Sequence, residues 1–146
     1  MRRRNESSFK KDNFLKSAVE TMMHREFAAM SEYLSASIAC EKDYPELSVW
    51  FDSAAAERYN NAKRFGGMLE SFGGSPSLNL RASLHIAHKE KIKDVIQCLT
   101  DKESCDVVDY QKIYLLDSDD RFDFALKEIL RASRDRLSML QSILRS

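Results

Sequence analysis

Apolar residues recur along the chain at alternating steps of three and four, which predicts long helices rather than strands. A first helix over about residues 10–41 carries Leu15, Val19, Met22, Ala29, Tyr33 and Ala36 on one seam. A second, about 46–72, runs Phe51, Ala54, Arg58, Asn61, Phe65, Met68 and Phe72. A third, about 81–100, offers Leu84 or His85 and then His88, Ile92, Val95 and Leu99. A fourth begins near Asp106 and stays periodic through Ile129 and Leu130. The last stretch, 131–146, keeps Leu137, Leu140 and Leu144 and reads as a short fifth helix or as an extension of the fourth. The breaks are Asp43-Tyr44-Pro45-Glu46, with proline in the first turn of a new helix, then Gly73-Gly74-Ser75-Pro76, and a weaker polar break at Asp101-Lys102-Glu103-Ser104. Seams this narrow belong to helices packed about 20° apart, so the pattern predicts an all-α four-helix bundle.

Composition narrows the setting. A chain of 146 residues suits a single domain over 1–146, with 1–9 as a flexible arm. Lys plus Arg (23) equals Asp plus Glu (23), so no overall field recruits nucleic acid or an anionic membrane. The early charges Arg2, Arg3, Arg4, Glu6, Lys10 and Lys11 read as a solvated arm rather than a DNA contact. Cys40, Cys98 and Cys105 are odd in number and lack a CxxC spacing, which suggests reduced thiols rather than a disulfide framework or a zinc site. Polar residues follow Arg2–Arg4 where a signal peptide would be apolar, and no apolar run is long enough to span a membrane. A soluble, cytoplasmic protein is expected.

The seams are interrupted by polar residues at mid-helix. The step of four from Met22 lands on Glu26, the second seam passes through Arg58 and Asn61, and the third through His88. All four point inward, where an unpaired charge is very costly. Facing helices that contribute Glu and Glu-x-x-His at one level build di-iron carboxylate sites. The alternative is a satisfied polar cluster, with Glu26 paired to Arg58 and capped by Asn61 and His88.

The run His24-Arg25-Glu26-Phe27-Ala28-Ala29-Met30-Ser31-Glu32-Tyr33-Leu34-Ser35 resembles helix A of bacterial non-haem ferritins, where a Glu ligand is followed seven residues on by Tyr and then Leu. Trp50-Phe51, Glu57 through Phe65, and the ending Phe72-Gly73-Gly74-Ser75-Pro76 resemble ferritin helix B, which in active members carries a Glu-x-x-His pair just before an alanine. The resemblance spans residues 20–78. It places Glu26 on the first carboxylate ligand, Arg58 on the second and Asn61 on its histidine partner. A register one residue earlier restores the carboxylate as Glu57 but puts Asn60 at the histidine. The helix C carboxylate falls on His88, and the helix D positions fall on Ser118 and Arg121. Tyr59 stands where bacterioferritins carry the haem methionine, so haem is not implied. Glu57, Asp117 and Asp120 match acidic positions beside the oxidation site that hold a third iron or nucleate mineral; a solvated acidic face is the other reading.

The resemblance implies a ferritin-like iron-storage or accessory subunit whose di-iron ferroxidase site is dismantled, with iron as weakly held or mineral cargo. Its partners would be copies of itself, in a cage of about 24 chains or a dimer, or an active ferritin subunit. A non-enzymatic helical bundle that works through protein contacts without mineral is the alternative. A di-iron enzyme with the unusual ligands Glu26, Glu57, His85 and His88 is a third reading. One spacing departs from the family. Arg58 and His88 are 30 residues apart, where family members place about 44 because a long crossover runs the length of the bundle. A shortened crossover, or an antiparallel hairpin of the second and third helices, is therefore expected.

Overall fold

The computed structural model describes residues 3–76, 91–116 and 122–146. They form four helices: α1 (Arg3–Cys40), α2 (Pro45–Ser71), α3 (Ile92–Leu116) and α4 (Asp123–Arg145). The first two match the predicted elements closely, except that α1 reaches back to Arg3. Pro45 opens α2 at a position whose missing N–H would have no helical partner anyway. The α2 C-terminus closes in a Schellman motif. The Gly74 N–H donates to the Leu69 carbonyl (3.0 Å) and the Gly73 N–H to that of Glu70 (2.9 Å). Gly73 takes φ +80°, and a Cβ on Gly74 would lie 2.6 Å from the Leu69 side chain.

The second half of the chain corrects the sequence reading. The polar stretch Asp101-Lys102-Glu103-Ser104 is no break but the middle of α3. Asp101, Lys102 and Ser104 are exposed, while Glu103 continues the buried seam Ile96, Leu99, Glu103, Asp106, Tyr110, Ile113 in steps of three and four. The predicted fourth helix, running from Asp106 past Ile129, is two elements: α3 ends at Leu116 and α4 begins at Asp123. The segment 131–146 is the C-terminal half of α4, the extension rather than a fifth helix. Residues 72–91 separate α2 from α3.

Two apolar clusters flank a polar middle and fix the topology. In one, Phe51, Ala54 and Ala55 from the start of α2 and Ile96 and Leu99 from the start of α3 meet Tyr33, Ala36 and Cys40 near the end of α1 and Leu140 near the end of α4. In the other, Phe65, Met68 and Leu69 late in α2 and Tyr110 and Ile113 late in α3 meet Leu15, Val19 and Met22 early in α1 and Leu126, Ile129 and Leu130 early in α4. α2 and α3 are therefore parallel, and α1 and α4 run against them. The start of α3 therefore lies at the same end of the bundle as the start of α2, which replaces the antiparallel-hairpin expectation. No helix among the described residues is long and apolar enough to cross a membrane.

Candidate functional site

Between the two clusters every helix turns a polar residue inward at one level. α1 supplies Glu26, α2 supplies Arg58 and Asn61, α3 supplies Glu103 and Asp106, and α4 supplies Ser133 and Arg136; all are buried. Each occupies a step of its helix's three-four seam, so the periodicity that packs the apolar ends also forces these groups into the core.

Arg58 is the hub. Its Nη1 donates to Glu26 Oε1 (2.8 Å) and to the Tyr110 hydroxyl (2.9 Å), and its Nη2 donates to Asp106 Oδ2 (2.8 Å). The same Nη2 lies 2.8 Å from Glu103 Oε2. Glu103 is the most fully engaged carboxylate. Its Oε1 accepts from the Tyr33 hydroxyl (2.6 Å) and Arg136 Nε (2.7 Å), and its Oε2 from the Ser133 hydroxyl (2.6 Å). Arg136 Nη1 reaches outward to Glu57 Oε2 at 2.6 Å. On the opposite side, Arg25 Nη2 lies 2.8 Å from Asp106 Oδ1, and Arg25 also pairs with Asp109. Opposite charges thus alternate across the bundle from Asp109 through Arg25, Asp106, Arg58, Glu103 and Arg136 to Glu57, with Glu26 branching from Arg58.

The protonation equilibria follow from how many cations each carboxylate can claim. Burial pushes Glu26 up to about 7, because its one charged donor, Arg58, is shared with two other acids. Its second oxygen has only Asn61 Nδ2, at 3.5 Å. Burial also acts upward on Glu103, but Arg58, Arg136 and the hydrogen bonds from Arg136 and Ser133 outweigh it and hold the acid below its ordinary range. Burial raises Asp106 in spite of Arg58 and Arg25. For Arg58, burial works against the charged form, yet Glu26, Glu103 and Asp106 more than reverse it and the guanidinium stays charged. The Tyr33 hydroxyl is raised by burial and by the negative charge of Glu103.

The residues expected at a site are divided by this geometry. Glu26, Arg58 and Asn61 are together at mid-bundle. Glu57 sits one residue off the seam, 51% exposed at the side chain, and meets the site only through Arg136. His85 and His88, and likewise Asp117, Ser118, Asp120 and Arg121, lie outside the described residues. The positions on the third and fourth helices that face Glu26 and Arg58 are instead Glu103, Asp106, Ser133 and Arg136. Two signals mark them. The seam passes through them unbroken, and Glu103 lies 45 residues after Arg58, close to the interval in the family it resembles. Among the described residues no group of three or more His, Cys, Asp or Glu is arranged to hold a metal ion.

Comparison with known proteins agrees with this architecture. The ferritin-like domain model matches residues 16–146, and the chain belongs to that family. No curated protein matches it. Among solved structures the chain is similar to ferritin-like diiron-carboxylate proteins from Bacillus anthracis. The TM-score is 0.80 at 14% identity, over 92% of this chain and 97% of that one. It is also similar to the Desulfovibrio desulfuricans bacterioferritin, with a TM-score of 0.79 at 14% identity over 93% and 81% of the two chains. A PmFTN variant soaked in iron gives 0.77 at 20% identity over 91% and 87%. At such identities the likeness establishes the fold.

Proposed function

We propose that this chain is a ferritin-like storage or accessory subunit without a working di-iron ferroxidase centre. The observation that carries the reading is Arg58, a buried guanidinium 2.8 Å from Glu26, Glu103 and Asp106 at once. A pair of iron ions needs several anionic oxygen ligands free to bind them. Here the inward carboxylates are already occupied, and an arginine inside a protein does not deprotonate to make way. Arg136 adds a second fixed positive charge against Glu103. The donor set does not fit two ions.

Iron enters this reading only as cargo, at half-exposed Glu57 and at Asp117 and Asp120, which lie outside the described residues, either within an assembly of identical chains or alongside an active subunit. Ferrous oxidation in air, followed by absorbance of the ferric product, tests it. The purified chain is expected to run at the rate of buffer alone, and saturable acceleration at a fixed iron-to-chain ratio overturns the reading.

The alternative, a bundle that acts through protein contacts without mineral, draws on exposed apolar side chains that share the outward face of α1 and the start of α2: Leu34, Ile38 and Val49. Sedimentation separates the two. A mass of about 24 chains favours the storage reading, and a dimer the contact reading.

A further inference from the structure

We infer that Arg58 and Arg136 are built-in counter-cations, which tie the four helices together in the way that bound divalent ions would, so that the bundle closes without metal. The inference deepens the proposed function and rests on its reading of the inward carboxylates.

Three observations carry it. The first is connectivity. The fork of Arg58, from α2, joins Glu26 of α1 to Glu103 and Asp106 of α3, and Arg136, from α4, joins Glu103 to Glu57 of α2. Two side chains thus tie carboxylates of α1, α2 and α3 to one another and to α4, as an ion held by acids from several helices ties those helices. The second is charge. Glu26, Glu103 and Asp106 are buried together, and among the described residues the only fully buried cations beside them are Arg58 and Arg136. Arg25 stands at the edge, with 34% of its side chain exposed. The third is what the guanidiniums leave unused. Arg58 Nε and Arg136 Nη2 are buried without a hydrogen-bond partner among the described residues. An arginine placed to satisfy its own donors would use them. Their other N–H groups go to carboxylates and, for Arg58, also to the Tyr110 hydroxyl.

The consequence is specific. Shortening Arg58 leaves Glu26, Glu103 and Asp106 facing a space the guanidinium filled. Oxygen ligands of that kind take a hard divalent cation such as Mn2+. A proton is a poor substitute at Glu103, whose oxygens are held as acceptors by Tyr33, Ser133 and Arg136.

The test is thermal unfolding of the full chain, of Arg58→Ala and of the bulkier neutral Arg58→Gln, each with EDTA and with Mn2+. The parent Tm is expected to be the same in both media. Arg58→Ala should melt several degrees lower in EDTA and recover saturably in Mn2+, while Arg58→Ala combined with Glu103→Gln should recover little. A parent that gains Tm in Mn2+ overturns the inference, as do variants indifferent to Mn2+ or unable to fold even when Mn2+ is saturating. None of these outcomes touches the ferrous oxidation assay, so the inference and the proposed function fail separately.

Discussion

Glu26 and Glu103 are both sealed in the same core, yet they titrate in opposite directions because Glu103 has four polar partners and Glu26 only two, one of them shared with Glu103. Glu103 receives two guanidiniums and two hydroxyls, whereas Glu26 has Arg58 and a long contact from Asn61. The signs of their linkage to stability are opposite too. Glu26 is raised from 4.5 to about 7 on folding, so its contribution is fully present below about pH 4.5 and is lost as pH rises through about 7. Glu103 is lowered, so its contribution is present above the ordinary carboxylate range and is lost as pH falls through its folded value. Asp106 is raised and sides with Glu26. Stability should therefore increase as pH is taken from about 8 toward about 5, and collapse in stronger acid. The first limb is worth on the order of 3 kcal/mol for Glu26. Urea unfolding at stepped pH checks this. Glu26→Gln is expected to flatten the limb between about pH 5 and 8, and a limb that survives the substitution would assign it to another group.

At the scale of the helices, α1 and α2 were legible and α3 and α4 were not, for a physical reason. A charged residue on an apolar seam has two interpretations, an inward-facing group or the end of the helix. For Glu26, Arg58 and Asn61 the flanking seams are long and rich in large apolar residues, and the helix reads through them. Around Glu103 the neighbours Asp101, Lys102 and Ser104 are also polar, so the local pattern looks like a loop. Its partners Arg58, Arg136, Tyr33 and Ser133, all far away in sequence, make Glu103 stable inside. That information is tertiary, and no local window contains it. Shifting the break also displaced the third and fourth helices by more than two turns each, which carried the expected site onto His88, Ser118 and Arg121. The α2 terminus is the contrary case, because its Gly-Gly-Ser-Pro signal acts through the backbone alone. Gly73 at φ +80° makes the turn possible, so Gly73→Ala should destabilise by about 1 kcal/mol. Gly74→Ala, whose Cβ would meet Leu69 at 2.6 Å, should be at least as damaging. Denaturant melts of both variants check the pair, and a neutral Gly73→Ala would mean that the left-handed conformation is not needed.

Across the whole molecule the alternating acids and bases form a bridge from one surface to the other, and its rungs differ in environment rather than in chemistry. The outermost carboxylates reach water. The Glu57 side chain is 51% exposed, and Arg25 and Asp109 are each about a third exposed. The middle pairs are sealed by the aromatic rings on either side, with Tyr33 and Phe51 above Arg58 and Tyr110 stacked on Phe65 below. Exposed pairs contribute about 0–1 kcal/mol, because water and salt screen them. Removing one partner of a buried pair costs about 3–5 kcal/mol, since it strands the other charge in a medium that cannot solvate it. The bridge should therefore show a gradient. Glu57→Ala and Asp109→Ala are expected to be mild and to lose their effect in high salt, whereas Arg58→Ala and Glu103→Ala should be severe and insensitive to salt. The two middle substitutions should also be strongly non-additive, because each creates the orphan that the other removes. A double variant close in stability to either single one would follow, and equal effects along the bridge would mean that its centre is wetter than its burial indicates. The gradient bears on function as well. On the proposed reading, a bundle whose middle is held by its own charges has no need of an ion there and keeps the same shape whether iron is present or absent.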